Sequence, residues 1–161
     1  MVVRQKPHRL PKEYYRGETT VALTLCVQDK KQIFSNPDIV QTFIDMLKEL
    51  AQKHQCVVPV YCFMPDHLHL IVSGSAEETK LLPFIVSFKQ KTGFWLSKNM
   101  AGVRWQKNYY DHVLRRQESL IAYIRYIINN PVRKGLVAYW HEYPFIGAIG
   151  GNLEDVLHSL I

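Results

Sequence analysis

Two histidines stand two residues apart in the segment Pro65-Asp66-His67-Leu68-His69-Leu70. On an extended chain side chains alternate faces, so His67 and His69 point the same way. Two residues of rise separate their backbones by roughly 6.5–7 Å, near enough for both imidazoles to converge on one ion. Leu68, Leu70 and Val72 take the opposite face and are free to bury. A paired-imidazole face beside a turn is a candidate site for a divalent cation with open coordination positions. The same spacing also fits two unrelated histidines at a strand end, which for this motif alone is the commoner case.

A second constellation lies later in the chain. Leu120, Ile121, Ile124, Ile127 and Ile128 form one apolar stripe, which predicts a helix over 117–129 that Pro131 stops. Tyr123 and Tyr126 lie off the stripe, and Asn130 follows Tyr126 by four, so these two share a helix face. A phenol can attack phosphorus, and an amide oxygen beside it can complete a metal shell. Each residue has an ordinary reading too: an amphipathic rim for Tyr126 and a helix end for Asn130.

The elements that must position these groups follow from periodicity. Residues 21–27 are β-rich and densely apolar, predicting a central strand. Ser35-Asn36-Pro37 is a helix start, and Val40, Phe43, Ile44, Leu47 and Leu50 carry a helix over about 37–53. Residues 56–63 predict a second strand whose Pro59 implies an edge or a bulge. A turn at Met64–His67 leads into a third strand, antiparallel to the second. Residues 77–98 predict a helix with Pro83 near its start, and 105–114 a fourth strand or extended segment. The order β-α-β-β-α-β-α predicts an α+β fold: a ferredoxin-like (split βαβ) antiparallel sheet, helices on one face, and an added C-terminal helix. At 161 residues the chain predicts one domain, with a basic arm at 1–16 and a weakly patterned extension at 140–161.

Charge is unevenly spread. The formal net charge is +6. Residues 1–16 hold five basic groups against one acid, and residues 86–134 hold ten against two. Both blocks carry aromatic residues. Cations for phosphates and rings for bases are what a single-stranded nucleic acid needs, though a solvated basic face over an aromatic core would look the same. Cys26, Cys56 and Cys62 are odd in number and sit in apolar stretches, so they read as buried hydrophobes. No apolar run reaches a membrane span, and the N-terminus lacks a secretory signal, which predicts a soluble cytoplasmic protein without membrane contact.

Three stretches in this order are specific: Met64-Pro-Asp-His-Leu-His-Leu70, Trp105-Gln-Lys-Asn-Tyr-Tyr-Asp-His-Val-Leu-Arg115 and Tyr126-Ile-Ile-Asn-Asn-Pro-Val-Arg-Lys-Gly-Leu136. In them the chain resembles the single-tyrosine HUH transposases of the insertion-sequence 200 type, and more closely their REP-associated branch, over about residues 15–147. The resemblance implies His67 and His69 as metal ligands, with Asn130 completing the site where many relatives carry Gln; Asn is shorter, so its direct ligation stays open. It implies Tyr126 as nucleophile, with Tyr123 the alternative, Mg²⁺ or Mn²⁺ as cofactor, and DNA hairpins with single-stranded flanks as substrate. The reaction would be strand cleavage and transfer through a 5′-phosphotyrosine, by a monomer or homodimer associated with the nucleoid when bound. Lys89, Lys91, Arg104, Lys107, Arg115, Arg116, Arg133 and Lys134, with Arg4, Lys6 and Arg9 of the arm, are then candidate phosphate contacts. Trp105, Tyr109 or Tyr110 would stack a base, and His112 would touch DNA or sit behind the metal site. The rival reading is a non-catalytic single-stranded nucleic-acid-binding module on the same sheet. A histidine-triad hydrolase fits poorly, because Ile71 stands where that chemistry wants another histidine.

Overall fold

A computed structural model describes residues 15–115 and 119–158. Five antiparallel strands form one sheet: β1 (Thr20–Cys26), β2 (Cys56–Met64), β3 (His67–Gly74), β4 (Tyr110–Val113) and β5 (Ile146–Ile149). Their order is β4-β1-β3-β2-β5. The first four strands follow the ferredoxin-like order, and β5 adds an edge beside β2. The helices are α1 (Pro37–Lys53), α2 (Leu81–Asn99), α3 (Leu120–Ile128), α4 (Asn130–Arg133) and α5 (Leu153–His158). The α+β class and the sheet are as the periodicity implies.

The alternation of β1 and β3 assigns the two faces. Val21, Leu23, Leu25, Leu68, Leu70 and Val72 pack with Phe43, Leu47, Phe84 and Phe88 of α1 and α2 into the larger core. Ile71, Val60, Cys62 and Met64 face the other way, against Ile124, Ile127 and Ile128 of α3 and Leu153 of α5. The helix with the tyrosines therefore covers the face opposite α1 and α2. Strand β2 is buried on both faces, which is why its pattern is continuous rather than alternating.

Local chemistry explains most boundaries. The Asn36 side chain caps α1 by accepting from the Asp38 N–H at 2.9 Å, with Pro37 in the first turn. Ser119 caps α3 in the same manner, from the Ala122 N–H at 3.1 Å. Pro59 sits where the pairing of β2 slips between Val57 and Val60, so it marks a bulge and not an edge.

Four expectations need correction. Helix α2 starts at Leu81 rather than 77, because Thr79 is spent on the Gln55 carbonyl (2.9 Å) and on capping the Ala76 N–H (3.2 Å). Strand β4 is only Tyr110–Val113, with Trp105 touching Val27 by an isolated bridge. Pro131 does not end the helical path: the chain breaks at Asn129 and makes a further turn, α4, with Pro131 near its start, where no N–H is missed. The extension beyond Trp140 is ordered into β5 and α5. Gly147 of β5 lies against the Tyr61 ring, where an added Cβ would come within 2.4 Å of the hydroxyl. Among the described residues no helix is long and apolar enough to cross a membrane. The three cysteines are free, two of them buried.

Candidate active site

The antiparallel register lays the site out in rows. Thr24 of β1 pairs with His69 on one side and Tyr110 on the other, and His69 pairs in turn with Cys62. The adjacent row runs Cys26, His67, Met64. Same-face side chains on paired strands meet, so the two imidazoles stand beside Thr24 and Tyr110 on the face that α3 covers.

The Nε2 atoms of His67 and His69 lie 3.1 Å apart, with the rings perpendicular at 4.7 Å. Each Nδ1 is held from behind: His67 by Asp66 Oδ1 at 2.5 Å, His69 by Thr24 Oγ1 at 2.9 Å. An ionised carboxylate only accepts, so a neutral His67 carries its proton on Nδ1 and presents a lone pair at Nε2. Where the Thr24 hydroxyl accepts from His69 Nδ1, the second Nε2 is also a lone pair, and two lone pairs meeting across 3.1 Å call for a cation. Where Thr24 donates instead, His69 bridges to His67 by its own Nε2–H. A rotation of one hydroxyl and a proton shift separate the two states. Burial, then repulsion from His67 when that ring is itself protonated and from the Arg133 guanidinium, push the His69 imidazole down to about 3, so it is neutral and fit to ligate.

The donor set fits a divalent cation with open positions. Among the described residues no group of three His, Cys, Asp or Glu side chains gathers to hold a metal. Cys62 is no thiolate, since burial pushes it up to about 12. Any further protein ligand must come from an uncharged oxygen, and Asn130 offers one. It is buried, at 7 % exposure. Its Oδ1 accepts from Arg133 Nη2 at 2.6 Å, while its buried Nδ2 has no hydrogen-bond partner. An amide flip would set two donors face to face at Arg133, so the oxygen stays towards the guanidinium.

Arg133 gathers the remaining groups. Its Nη2 also donates to the Tyr126 carbonyl at 2.7 Å, and its guanidinium covers the Tyr126 ring at 4.1 Å. Arg133 thus joins Tyr126 and Asn130 directly, and its charge is also one of the causes that depress His69. Tyr123 points elsewhere, stacked on His112 of β4 with ring centres 5.6 Å apart. His112 thus lies where α3 meets the sheet edge.

An open pocket of about 470 Å³ is bordered by His67 of the pair. Asp66, His67 and Met64 form one wall; Lys30, Gln32, Gln106, Tyr110 and Lys134 line the rest. Lys30 and the two glutamines were not singled out by sequence, and neither was Thr24. Asp66 was visible as the residue before His67, but Thr24 became visible only through the register with His69.

Other expected contacts lie elsewhere. Trp105 and Tyr109 are buried in the larger core, and the Trp105 Nε1–H donates to Thr92 at 2.8 Å. This corrects the expectation that either stacks a base: neither offers solvent a free ring face. Lys91 pairs with Glu49 at 2.8 Å, and Lys89 donates to the carbonyls of Gln106 and Lys107 at 3.0 Å, both on the α2 side. Arg104, Lys107 and Arg115 are exposed. Arg4, Lys6, Arg9 and Arg116 lie outside the described residues.

Comparison with known proteins agrees with this layout. A solved REP-associated tyrosine transposase bound to a REP hairpin superposes with a TM-score of 0.70 at 16 % identity, over 86 % of this chain and 82 % of that one. A Deinococcus radiodurans chain described as a transposase superposes at 0.51 with 17 % identity, over 80 % of this chain and 97 % of its own. In sequence, a Haemophilus influenzae protein described as a REP-associated tyrosine transposase is 23 % identical over 133 residues, 76 % of this chain and 75 % of that protein. The family model for IS200-like transposases matches residues 17–130, from just before β1 through Asn130. The chain thus belongs to the IS200-like transposase family.

Proposed function

We propose that the protein cleaves and rejoins single-stranded DNA, with Tyr126 as nucleophile and His67 and His69 as ligands of a divalent cation. The observation that carries this reading is the meeting of the two Nε2 atoms at 3.1 Å on the sheet face covered by the helix of Tyr126. Asn130 would supply a third, amide-oxygen ligand once Arg133 gives it up. The cation, Mg²⁺ or Mn²⁺, would polarise a non-bridging oxygen of the scissile phosphate.

The chain's own groups account for the rest. The Tyr126 oxygen attacks phosphorus and loses its proton to solvent; the bond from phosphorus to the 3′-oxygen breaks, and that oxygen takes a proton from solvent and leaves as a hydroxyl. The product is a 5′-phosphotyrosine. One phosphodiester replaces another, so the strand can be rejoined without a nucleotide cofactor. Arg133, which lies over the phenol ring, would meet the incoming phosphate. Lys30 and Lys134 would hold neighbouring phosphates along the pocket, and Tyr110 would take a base. The solved relative bound to a REP hairpin supports hairpin DNA as the partner. We read the chain as cytoplasmic and nucleoid-associated when bound.

The test is incubation with a labelled single-stranded hairpin library and Mg²⁺ or Mn²⁺. A covalent band that Tyr126→Phe abolishes, with DNA binding retained, is the expected result. Full binding with no adduct under either ion would favour the non-catalytic module.

A further inference from the structure

Two of the four exposed large hydrophobic side chains among the described residues, Leu136 and Tyr139, lie in one short stretch just after α4. Tyr139 is 65 % exposed, yet the segment that carries it is firmly built. The Glu142 carboxylate accepts from the Tyr139 N–H at 2.9 Å, and the Glu142 N–H donates to the Tyr139 carbonyl at 3.1 Å. Trp140 packs into the core beneath α3, and the Tyr143 hydroxyl donates to the Phe63 carbonyl at 2.6 Å. The Tyr139 ring stacks on exposed His141, with centroids 5.8 Å apart and planes 16° from parallel. A rigid segment that holds an aromatic face out to water gains nothing in stability from it.

The surroundings indicate what such a face would receive. Residues 131–141 carry Arg133 and Lys134 and no acid. Lys134 and Leu136 line the same pocket as His67. Cations that hold phosphates, next to a flat ring, suit an unpaired stretch of DNA, whose every base has a face to stack.

We propose that Tyr139, backed by His141, is a stacking platform for an unpaired nucleobase of the DNA strand whose phosphates pass Lys134. This rests on the reading of the pocket as a DNA site, but not on cleavage. The platform extends the site beyond the family-matched residues 17–130.

The test is the affinity of the full chain for a fluorescein-labelled, unstructured mixed-sequence single strand, read by anisotropy at several salt concentrations. Tyr139→Ala should weaken binding by about 5- to 150-fold, the worth of one stacked base, while the salt dependence keeps its slope. Tyr139→Leu, apolar but without a ring, should weaken it similarly; Tyr139→Phe should stay within about twofold of wild type. Lys134→Ala should instead reduce the salt slope by about 0.7. Affinity for Tyr139→Ala and Tyr139→Leu within twofold of wild type would overturn the proposal. So would a Tyr139→Ala protein that binds DNA normally but loses a dimer in sedimentation, since the face would then belong to a second copy. The two readings fail separately. A wild type that forms no adduct, with Tyr139→Ala still binding weakly, sinks cleavage and keeps the platform. An adduct-forming protein indifferent to Tyr139→Ala does the reverse.

Discussion

The two faces of the sheet are built on different terms. Against α1 and α2 the side chains are aliphatic and aromatic, closed around Phe34, whose ring meets Phe43 and Phe63 edge-on at 5.4 and 5.0 Å. Against α3 the apolar cluster is smaller, and polar rows interrupt it: Tyr110, Thr24 and His69, then Cys26 and His67. One face is closed and apolar, and the other combines a smaller core with half-buried polar rows. The same strands serve both, because alternate residues of β1 and β3 belong to different faces. A substitution in β3 therefore falls on one face or the other by parity: Leu68, Leu70 and Val72 on the closed face, His67, His69 and the buried Ile71 on the face of α3.

The sharpest way to break that division is to cut into the closed face. Phe43→Ala should cost roughly 3–5 kcal/mol, read by chemical denaturation. Next, Asp66→Asn and Thr24→Val should each weaken Mn²⁺ affinity about 10–100-fold, by titration calorimetry, through loss of the Nδ1 anchors, with little loss of stability. Asn36→Ala, remote from the polar face, should remove about 1 kcal/mol of stability with no effect on Mn²⁺ binding.

A further effect should be a pH dependence confined to the polar face. The unfolded chain protonates His69 near 6.5, but the folded chain, with that imidazole held at about 3, refuses the proton. The unfolded state then binds more protons, so the metal-free protein should lose stability as pH falls from about 6.5 towards 3. His69→Gln should flatten the fall in denaturation curves at pH 7 and pH 5. An unaltered slope would mean that His69 titrates freely when folded.

What the sequence disclosed follows the same split. The alternation of residues 67–73 and the helix start at Asn36-Pro37 were legible because each is a local signal. The strand Ile146–Ile149 was not: all four residues are half-buried, and Ile-Gly-Ala-Ile has no period to read. Trp105 looked like a stacking residue because its neighbours are basic. Its burial depends on Thr92, thirteen positions away, which no spacing rule connects to it. Thr24 was hidden for a like reason, since its role exists only across a strand pairing. The pairing of Tyr126 with Asn130 was legible as a four-residue step, whereas Arg133 bridging both required the extra turn after Asn129.

The central claim, that the phenol of α3 does the chemistry at the imidazole pair, has a direct measurement. Trypsin cuts after Arg125 and so separates Tyr123 from Tyr126. A DNA adduct trimmed by nuclease and mapped by mass spectrometry should carry its nucleotide on the peptide 126–133, and only when His67 and His69 are intact. A nucleotide on the Tyr123 peptide, or an adduct that survives the loss of both histidines, would contradict the account.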